Sequence, residues 1–243
     1  MTGNQQFCFS DWLNTQLNCT DDYNPNTDII NCHSYDVDEL QIFSNLKETN
    51  QISAIHINIH SIPAKFDKLL LLLSRLRDIK IEIDFLLLCE TFLTNNNVSL
   101  YNIPGYNMTY KNRPSGKRGG IAIYSKDNIT FKRRPDLEIN IDGEFESIFM
   151  ETIKKNENVL IGEIYRVPNT NEQLSLHRFE TILEKLCNMK TNVILGTDQN
   201  FDYLKIETQN NTRELLNNFL SSGMQPTVTK PTRVTHSTAT FNR

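Results

Sequence analysis

The clearest pattern in the sequence is an alternation of apolar and polar residues that begins near residue 54. In the segment AIHINIH, residues 54–60, isoleucines occupy one face while His56, Asn58 and His60 occupy the other. A period of two is typical of a β-strand with one buried face. The sequence therefore predicts a strand whose second face carries polar side chains.

A helix and a buried strand are predicted directly after it. Ser61 suits the N-cap of a helix, and Pro63 suits its first turn. Apolar residues then recur at helical spacing, at Phe66, Leu69, Leu70, Leu73 and Leu76. The next segment, IEIDFLLLC over residues 81–89, ends almost entirely apolar, which is typical of a strand covered on both faces.

The rest of the chain continues to alternate strand and helix signals. Strands are predicted over residues 120–124, 129–132, 145–153, 159–165 and 192–195. One further helix contains Phe179, Ile182, Leu183 and Leu186, and another is capped by Thr212, contains Leu215, Leu216, Phe219 and Leu220, and stops at Gly223. Many strands with few helices favour a mixed α/β sandwich, in which helices cover sheets, over a parallel β-α-β stack.

The charge is unevenly distributed. The net charge of the 243 residues is -4, which by itself argues against a protein that binds polyanions. Residues 1–50, however, hold eight acidic residues and one lysine, and we expect this Asn-rich leader to be mostly disordered. Residues 51–243 form the predicted domain, and within it residues 111–134 hold eight basic residues and one acid. That basic stretch is a candidate phosphate-binding surface, or simply a solvated face.

Neither a membrane span nor a disulfide framework is predicted. No apolar stretch is long enough for a transmembrane helix, and the N-terminus has no basic segment followed by an apolar one, so we expect an intracellular protein without a membrane partner. The five cysteines are odd in number and widely spaced. This favours reduced, partly buried thiols over disulfides or a zinc site.

Polar residues follow four of the predicted strands at their carboxyl ends. They are Asn58, Glu90, Tyr165 and Asp198, with Asn200 just beyond. Each alone is typical of a strand-ending turn, but four such ends indicate a shared rim. Carboxylates and amides suit Mg²⁺, and a second carboxylate could orient or deprotonate a water for attack on phosphorus. Amide and phenol donors could stabilise the charge that develops on the phosphoryl oxygens, so the set fits phosphodiester cleavage.

The order of the segments resembles a known superfamily. HINIHSI, LLLCETFL, YNIPGY, KRGGIAIY, EIYRVPN, ILGTDQNFDYL and TKPTRVTHSTAT together resemble endonuclease/exonuclease/phosphatase proteins, and more narrowly the apurinic-type endonuclease domain of non-LTR (LINE, jockey-like) retrotransposons. The resemblance runs from Ile52 to Thr240. It implies a DNase I-like, four-layer sandwich of two packed β-sheets flanked by helices. The implied activity is cleavage of DNA with Mg²⁺ or Mn²⁺.

The resemblance also implies a role for each site residue. Glu90 would be the principal metal ligand, with Asn58 beside the metal and the scissile phosphate. Asp198 would activate the attacking water, Asn200 would hold the phosphate, and Tyr165 would contact the phosphate or the leaving oxygen. The nucleic-acid contacts expected from the basic stretch are Lys111, Arg113, Lys117, Arg118, Arg133 and Arg134, and Thr238 is a further expected contact.

In such retrotransposons the domain is fused to a reverse transcriptase, and the nick that it makes exposes the 3′-hydroxyl that primes reverse transcription. This sequence contains no reverse-transcriptase segment. A protein that acted in this way on genomic DNA would be nuclear.

Two departures from the family pattern bear on activity. Thr197 stands where the family has glycine, with Gly196 one place earlier, and Thr238-Ala239-Thr240 is not followed by the family's Ser-Asp-His. We therefore expect a domain that lacks its last strands and has weak or no activity, because loss of an acid/base group typically slows a reaction about 10²- to 10⁴-fold. The alternatives are a nucleic-acid-binding remnant without chemistry and a phosphomonoesterase or phospholipase of the same fold.

Overall fold

The computed structural model describes residues 40–41, 52–114, 118–153, 158–228, 233–234 and 239–240. The predictions for Lys117, Thr238 and almost all of residues 1–50 lie outside the described residues. Within the predicted leader, Leu40 is described, and it packs against an apolar core of the domain. No helix in these described ranges is both long and apolar enough to cross a membrane.

The first sheet combines a parallel pair with an antiparallel hairpin. Its strands are β1 (Ala54–Asn58), β2 (Phe85–Cys89), β3 (Tyr106–Lys111) and β4 (Ile121–Lys126). The strand order is β1-β2-β4-β3, in which β1 and β2 are parallel and the other neighbours are antiparallel. Helix α1 (Ile62–Asp78) joins β1 to β2, and Ser61 caps it by accepting a hydrogen bond from the backbone N–H of Ala64.

The second sheet has a similar plan. Its strands are β5 (Phe131–Arg133), β6 (Phe145–Thr152), β7 (Val159–Arg166) and β8 (Asn192–Asp198), in the order β5-β6-β7-β8. β7 and β8 are parallel and are joined by α2 (Glu172–Cys187), whereas the other neighbours are antiparallel. Helix α3 (Asn210–Ser221) follows β8, and the two-residue strands β9 (Arg233–Val234) and β10 (Ala239–Thr240) pair with each other.

Three apolar cores separate four layers. α1 packs on the outer face of the first sheet, and α2 and α3 pack on the outer face of the second. Between the sheets lies a core built from both, which contains Phe85, Leu87, Ile123, Ile148, Met150 and Ile161. Removing these apolar faces from water is the main force that holds the layers together. The predicted α/β sandwich with helices covering two packed sheets is confirmed.

The local predictions were wrong in two places. β3 was not predicted, although Tyr106, Met108 and Tyr110 alternate with polar residues in YNMTYK and pack against the core of the first sheet. Thr212 was expected to cap α3, but the helix begins at Asn210 with Gln209 at the N-cap position, and Thr212 is buried inside the helix. Gln209 provides no side-chain cap hydrogen bond, so α3 depends on packing rather than on a local start signal.

Candidate active site

Asn58 joins side chains from both sheets at one rim of the sandwich. Its Nδ2 atom donates hydrogen bonds to Glu90 Oε1 at 3.0 Å and to Asp198 Oδ2 at 2.7 Å. The Tyr165 hydroxyl also donates to Glu90 Oε1, at 3.2 Å. Glu90 directly follows β2 of the first sheet, whereas Tyr165 and Asp198 lie in β7 and β8 of the second. Four residues separated widely in sequence therefore form one cluster.

Glu90 is held by hydrogen-bond donors on several sides. Besides Asn58 and Tyr165, the ring of His60 lies with Nδ1 2.7 Å from Glu90 Oε2. Burial alone would raise the pKa of the Glu90 carboxyl, but the hydrogen bonds from Asn58, His60 and Tyr165 together lower it. The carboxylate is therefore ionised at neutral pH. Glu90 adopts a φ of 52°, a strained backbone conformation for a non-glycine residue that is common at functional sites.

Asp198 lies deeper than Glu90. Its side chain is buried, and burial raises the pKa of the carboxyl, although the hydrogen bond from Asn58 opposes this effect. The backbone N–H of Asn200 also favours the ionised carboxyl, but the buried Oδ1 atom makes no hydrogen bond of good geometry among the described residues. A buried carboxylate oxygen without a donor is costly, and a bound cation would satisfy it.

Tyr165 remains a proton donor at this rim. Burial raises the pKa of its phenol, and the negative charges of Glu90 and Asp198 raise it further. The phenol therefore stays protonated at any pH at which the protein would act, and it can donate to an oxygen of a substrate as it does to Glu90.

A histidine–glutamate pair lies behind this cluster. His56 Nε2 is 3.1 Å from Oε1 of Glu163, a fully buried residue of β7. Burial alone would lower the pKa of the His56 imidazole, but the charge and hydrogen bond of Glu163 have a larger effect and raise it. Cys89 Sγ lies 3.9 Å from His56 Nε2 and 3.8 Å from Asp198 Oδ2.

Sequence reasoning did not assign His56, His60, Cys89 or Glu163 to the site. The signal for the two histidines was present, because the alternation in AIHINIH places His56 and His60 on the same face as Asn58. Cys89 and Glu163 lie in mostly apolar strands, so the sequence pattern indicated only that they are buried. Their roles depend on which strands of the second sheet face the first, which the sequence pattern does not report.

Asn200 is held in the turn after β8. Its Nδ2 donates to the backbone carbonyl of Arg166 at 2.6 Å, and the Arg166 Nη1 donates to the backbone carbonyl of Asn200 at 2.9 Å. Asn200 has a φ of 53°, a conformation that asparagine tolerates better than most residues. The structure thus holds Asn200 two residues beyond Asp198, with its side-chain amide bonded to the backbone of β7.

The displaced glycine before Asp198 has a structural reason. A Cβ atom on Gly196 would lie 2.3 Å from Glu163 Oε2 and 2.8 Å from a ring carbon of His56. The absence of a side chain at this position makes room for the pair between the sheets. Thr197, where the family pattern has glycine, instead accepts a hydrogen bond from Gln199 through its hydroxyl.

The basic residues of the 111–134 stretch are spread over two sheets, and four of those that the structure describes are paired. Lys126 pairs with Glu82. Arg113 Nε donates to the buried Glu146 at 2.8 Å, Arg133 bonds Glu138, and Arg134 bonds Asp136 and Glu151. Lys111 ends β3 and is half-buried, whereas Arg118 is exposed. The Arg113–Glu146 pair is well buried, with 12% and 6% of the side-chain surfaces exposed. Its geometry is that of a structural ion pair.

The residues at the rim fit a hard divalent cation. Glu90 supplies an ionised carboxylate, Asn58 an amide oxygen, and Asp198 a carboxylate with one unpaired oxygen. Mg²⁺ and Mn²⁺ prefer such oxygen ligands, with one or two carboxylates and several waters or phosphate oxygens. Glu90 and Asn58 would hold the ion, and Asp198 would lie beside it.

Two packed mixed sheets with carboxylates and amides from both at one rim define a DNase I-like α/β sandwich. The chain belongs to the Endonuclease/Exonuclease/phosphatase family, whose profile matches residues 55–243. No curated protein sequence matches it significantly.

Several solved structures are similar to this chain at low sequence identity, and the first of those described next shares its fold. The endonuclease domain of TRAS1, a telomere-specific non-LTR retrotransposon, aligns with a TM-score of 0.56 at 12% identity, over 78% of this chain and 81% of that one. The catalytic domain of human Nocturnin has a TM-score of 0.47 at 18% identity, over 70% of this chain and 69% of that one. An AP endonuclease from Archaeoglobus fulgidus has a TM-score of 0.45 at 15% identity, over 70% of each chain. At these identities the likeness concerns the fold alone.

Proposed function

We propose that this chain carries a Mg²⁺- or Mn²⁺-dependent DNA endonuclease site of the kind that belongs to non-LTR retrotransposons. The observation that carries the proposal is the Asn58 amide, which links the Glu90 and Asp198 carboxylates from opposite sheets at 3.0 and 2.7 Å. The retrotransposon assignment rests on the order of the sequence motifs, from HINIHSI to ILGTDQNFDYL.

Each residue has a role that its surroundings support. Glu90 would hold the cation, because its donors keep it ionised. When bound, the cation would polarise the scissile phosphate and lower the pKa of a nearby water. Asp198 would orient and deprotonate the attacking water, since its buried carboxyl has a raised pKa and is therefore a better base than an exposed aspartate.

The remaining donors would act on the phosphate. The Tyr165 phenol, which stays protonated, would donate to a phosphoryl or leaving oxygen. Asn58 keeps two charged carboxylates close together by donating to both. Asn200 would hold the phosphate from the turn that Arg166 stabilises.

Metal binding and cleavage are best measured side by side on the full chain. Mn²⁺ binding is followed by electron paramagnetic resonance, and nicking of supercoiled plasmid is followed with Mg²⁺ and protein in excess over DNA, so that slow cleavage is still detected. We expect Glu90→Gln to weaken Mn²⁺ binding by about 10-fold or more and Asp198→Ala to slow nicking by about 10²- to 10⁴-fold. Glu207→Gln is the control, because the Glu207 side chain is 90% exposed.

Three results would contradict the proposal. Nicking that is equally fast in wild-type protein, Glu90→Gln and Asp198→Ala would show that these carboxylates do not carry the chemistry. Salt-sensitive DNA binding that persists in Asp198→Ala, without any cleavage or Mn²⁺ binding by the wild-type chain, would identify a nucleic-acid-binding protein instead. Hydrolysis of a phosphomonoester in place of plasmid nicking would identify the third class.

A further inference from the structure

A second group of metal-ligating atoms lies between the sheets, next to the Glu90–Asp198 cluster. It consists of His56 on β1, Cys89 at the end of β2 and Glu163 on β7. One ligand atom from each of the three lies within 4.8 Å of the others. Asp198 Oδ2 is 3.8 Å from the Cys89 sulfur, so a fourth ligand atom borders the group.

An independent observation shows that this group is incompletely satisfied. Glu163 is fully buried, and its Oε2 atom has no hydrogen-bond partner among the described residues, although its Oε1 atom contacts His56. A buried carboxylate oxygen without a donor or cation is unusual, because its desolvation is not offset. Oε2 packs against Gly196, and only glycine leaves room for it there, since a Cβ at residue 196 would lie 2.3 Å away.

Three of the six ligand separations lie within a few tenths of an ångström of those around a tetrahedral ion. With zinc bonds of about 2.0–2.1 Å to nitrogen or oxygen and about 2.3 Å to sulfur, two light ligand atoms should lie about 3.3 Å apart, and sulfur about 3.6 Å from each. The observed separations are 3.1 Å for His56 Nε2 to Glu163 Oε1, 3.9 Å for Cys89 Sγ to His56 Nε2 and 3.8 Å for Cys89 Sγ to Asp198 Oδ2. Shifts of a few tenths of an ångström would accommodate the ion.

The chemistry of the ligands differs from that of the rim. A thiol, an imidazole and a carboxylate select a borderline, thiophilic cation such as Zn²⁺, whereas the all-oxygen set around Glu90 selects Mg²⁺ or Mn²⁺. One ligand is reachable from solvent, because His56 is partly exposed and borders a cavity of about 150 Å³, which Gly196 and Thr197 also line.

We propose that His56, Cys89 and Glu163 bind a thiophilic divalent cation such as Zn²⁺, with Asp198 as the fourth ligand. The widely spaced cysteines gave no indication of a zinc site in the sequence, since the three residues come from three strands of two sheets. On binding, the Cys89 thiol releases its proton to solvent, and the thiolate coordinates the ion.

Occupation of this site has a consequence for the neighbouring one. Asp198 Oδ2 accepts a hydrogen bond from Asn58 at 2.7 Å. A Zn²⁺ ion that binds the same oxygen withdraws Asp198 from the role assigned to it above. Zinc bound between the sheets therefore inhibits Mg²⁺-dependent nicking, and this consequence, unlike the binding itself, rests on the proposed function.

The binding is tested with Co²⁺ alone as a spectroscopic substitute for zinc. The full chain is used with Cys8, Cys19, Cys32 and Cys187 replaced by serine, so that Cys89 is the single thiol. We expect one equivalent of Co²⁺ to produce a sulfur-to-cobalt charge-transfer band and the visible absorption of a tetrahedral ion, and stoichiometric Zn²⁺ to abolish both. A spectrum without a charge-transfer band in this folded protein would refute the proposal.

Variants identify the remaining ligands. Cys89→Ser should abolish the charge-transfer band, and His56→Gln and Glu163→Gln should each weaken Co²⁺ binding by about 10-fold or more. His56→Gln is the safest for folding, because 30% of the His56 side chain is exposed. Each variant is checked by circular dichroism. Co²⁺ affinity unchanged by His56→Gln in a folded protein would show that the thiol binds cobalt elsewhere.

Inhibition is measured separately from binding. One equivalent of Zn²⁺ should suppress Mg²⁺-dependent nicking by the single-thiol chain, and Cys89→Ser should relieve the suppression. If Zn²⁺ inhibits Cys89→Ser as strongly as it inhibits the single-thiol chain, Asp198 is not shared between the two sites. The Co²⁺ spectrum would still show independently whether the zinc site exists. A chain that binds Co²⁺ through Cys89 but never nicks DNA would contradict the proposed function alone.

Discussion

Arg166 and Asn200 bond each other in both directions. The Arg166 guanidinium donates to the Asn200 carbonyl at 2.9 Å, and the Asn200 amide donates to the Arg166 carbonyl at 2.6 Å. The same guanidinium donates to the carbonyl of Thr170 and lies 4.4 Å from the Phe201 ring centroid. One buried side chain thus connects the end of β7 with the turn that follows Asp198.

Arg166→Lys should lower the free energy of unfolding by about 1–3 kcal/mol. The lysine ammonium cannot donate to all the carbonyls that the planar guanidinium bonds, so buried acceptors are left unpaired. Denaturant unfolding measures the change. Arg213→Lys is the matched control, since the Arg213 side chain is 45% exposed, and should stay within about 0.5 kcal/mol of wild type. Equal effects in the two variants would show that the Arg166 bonds are not important for stability.

Gly196→Ala should destabilise the protein by about 1–3 kcal/mol, because the new Cβ would overlap Glu163 Oε2. The change should be smaller in a Glu163→Ala background, where the overlapping carboxylate is gone. A double-mutant cycle followed by thermal unfolding measures this coupling. Additive effects would mean that the clash is relieved by movement elsewhere.

Asn58→Ala should raise the pKa of the Asp198 and Glu90 carboxyls, because the Asn58 amide donates to the charged form of both. Burial already raises the pKa of Asp198 in the wild-type protein. As the pH is lowered, the nicking rate should therefore begin to fall at a higher pH than expected for an exposed aspartate. Carbon NMR of the carboxyl groups measures both pKa values directly. Asn102→Ala, which removes an exposed amide, should leave them unchanged, and a downward shift in Asn58→Ala would contradict the assignment.

The same carboxyl predicts the sign of a pH effect on stability. The pKa of Asp198 is higher in the folded state than in the unfolded state, so protonation of this carboxyl stabilises the fold. This stabilisation is fully present below the unfolded pKa and is lost as pH rises through the folded pKa. Asp198→Asn should therefore increase the free energy of unfolding more at neutral pH than at acidic pH. Chemical denaturation at several pH values tests this, and the opposite trend would show that the native state favours the ionised form.

Arg113 and Arg118 should respond differently to alanine substitution. Arg113→Ala should lower the free energy of unfolding by about 3–5 kcal/mol, because it leaves the Glu146 carboxylate buried without its partner. Arg118 is exposed, so Arg118→Ala should leave stability unchanged and, if this residue contacts a phosphate, reduce the salt dependence of DNA binding by about one ion. Unfolding curves and DNA titrations at several salt concentrations separate the two roles.

The sequence by itself determined much of the fold and half of the site. The alternation in AIHINIH and the apolar run FLLLC predicted β1 and β2, because burial on one or two faces leaves a direct trace in residue order. The same logic identified Asn58, Glu90, Tyr165 and Asp198 as strand-end residues, which the structure brings together.

Only the tertiary structure decided what lies opposite these residues. The pairing of His56 with Glu163, the approach of Cys89 to Asp198 and the ion pair of Arg113 with Glu146 join segments that are 107, 109 and 33 residues apart. Periodicity reports which face of a strand is buried but not which strand of another sheet it meets. That choice is made when the two sheets pack, and it brings the buried Cys89 and Glu163 next to His56 and Asp198.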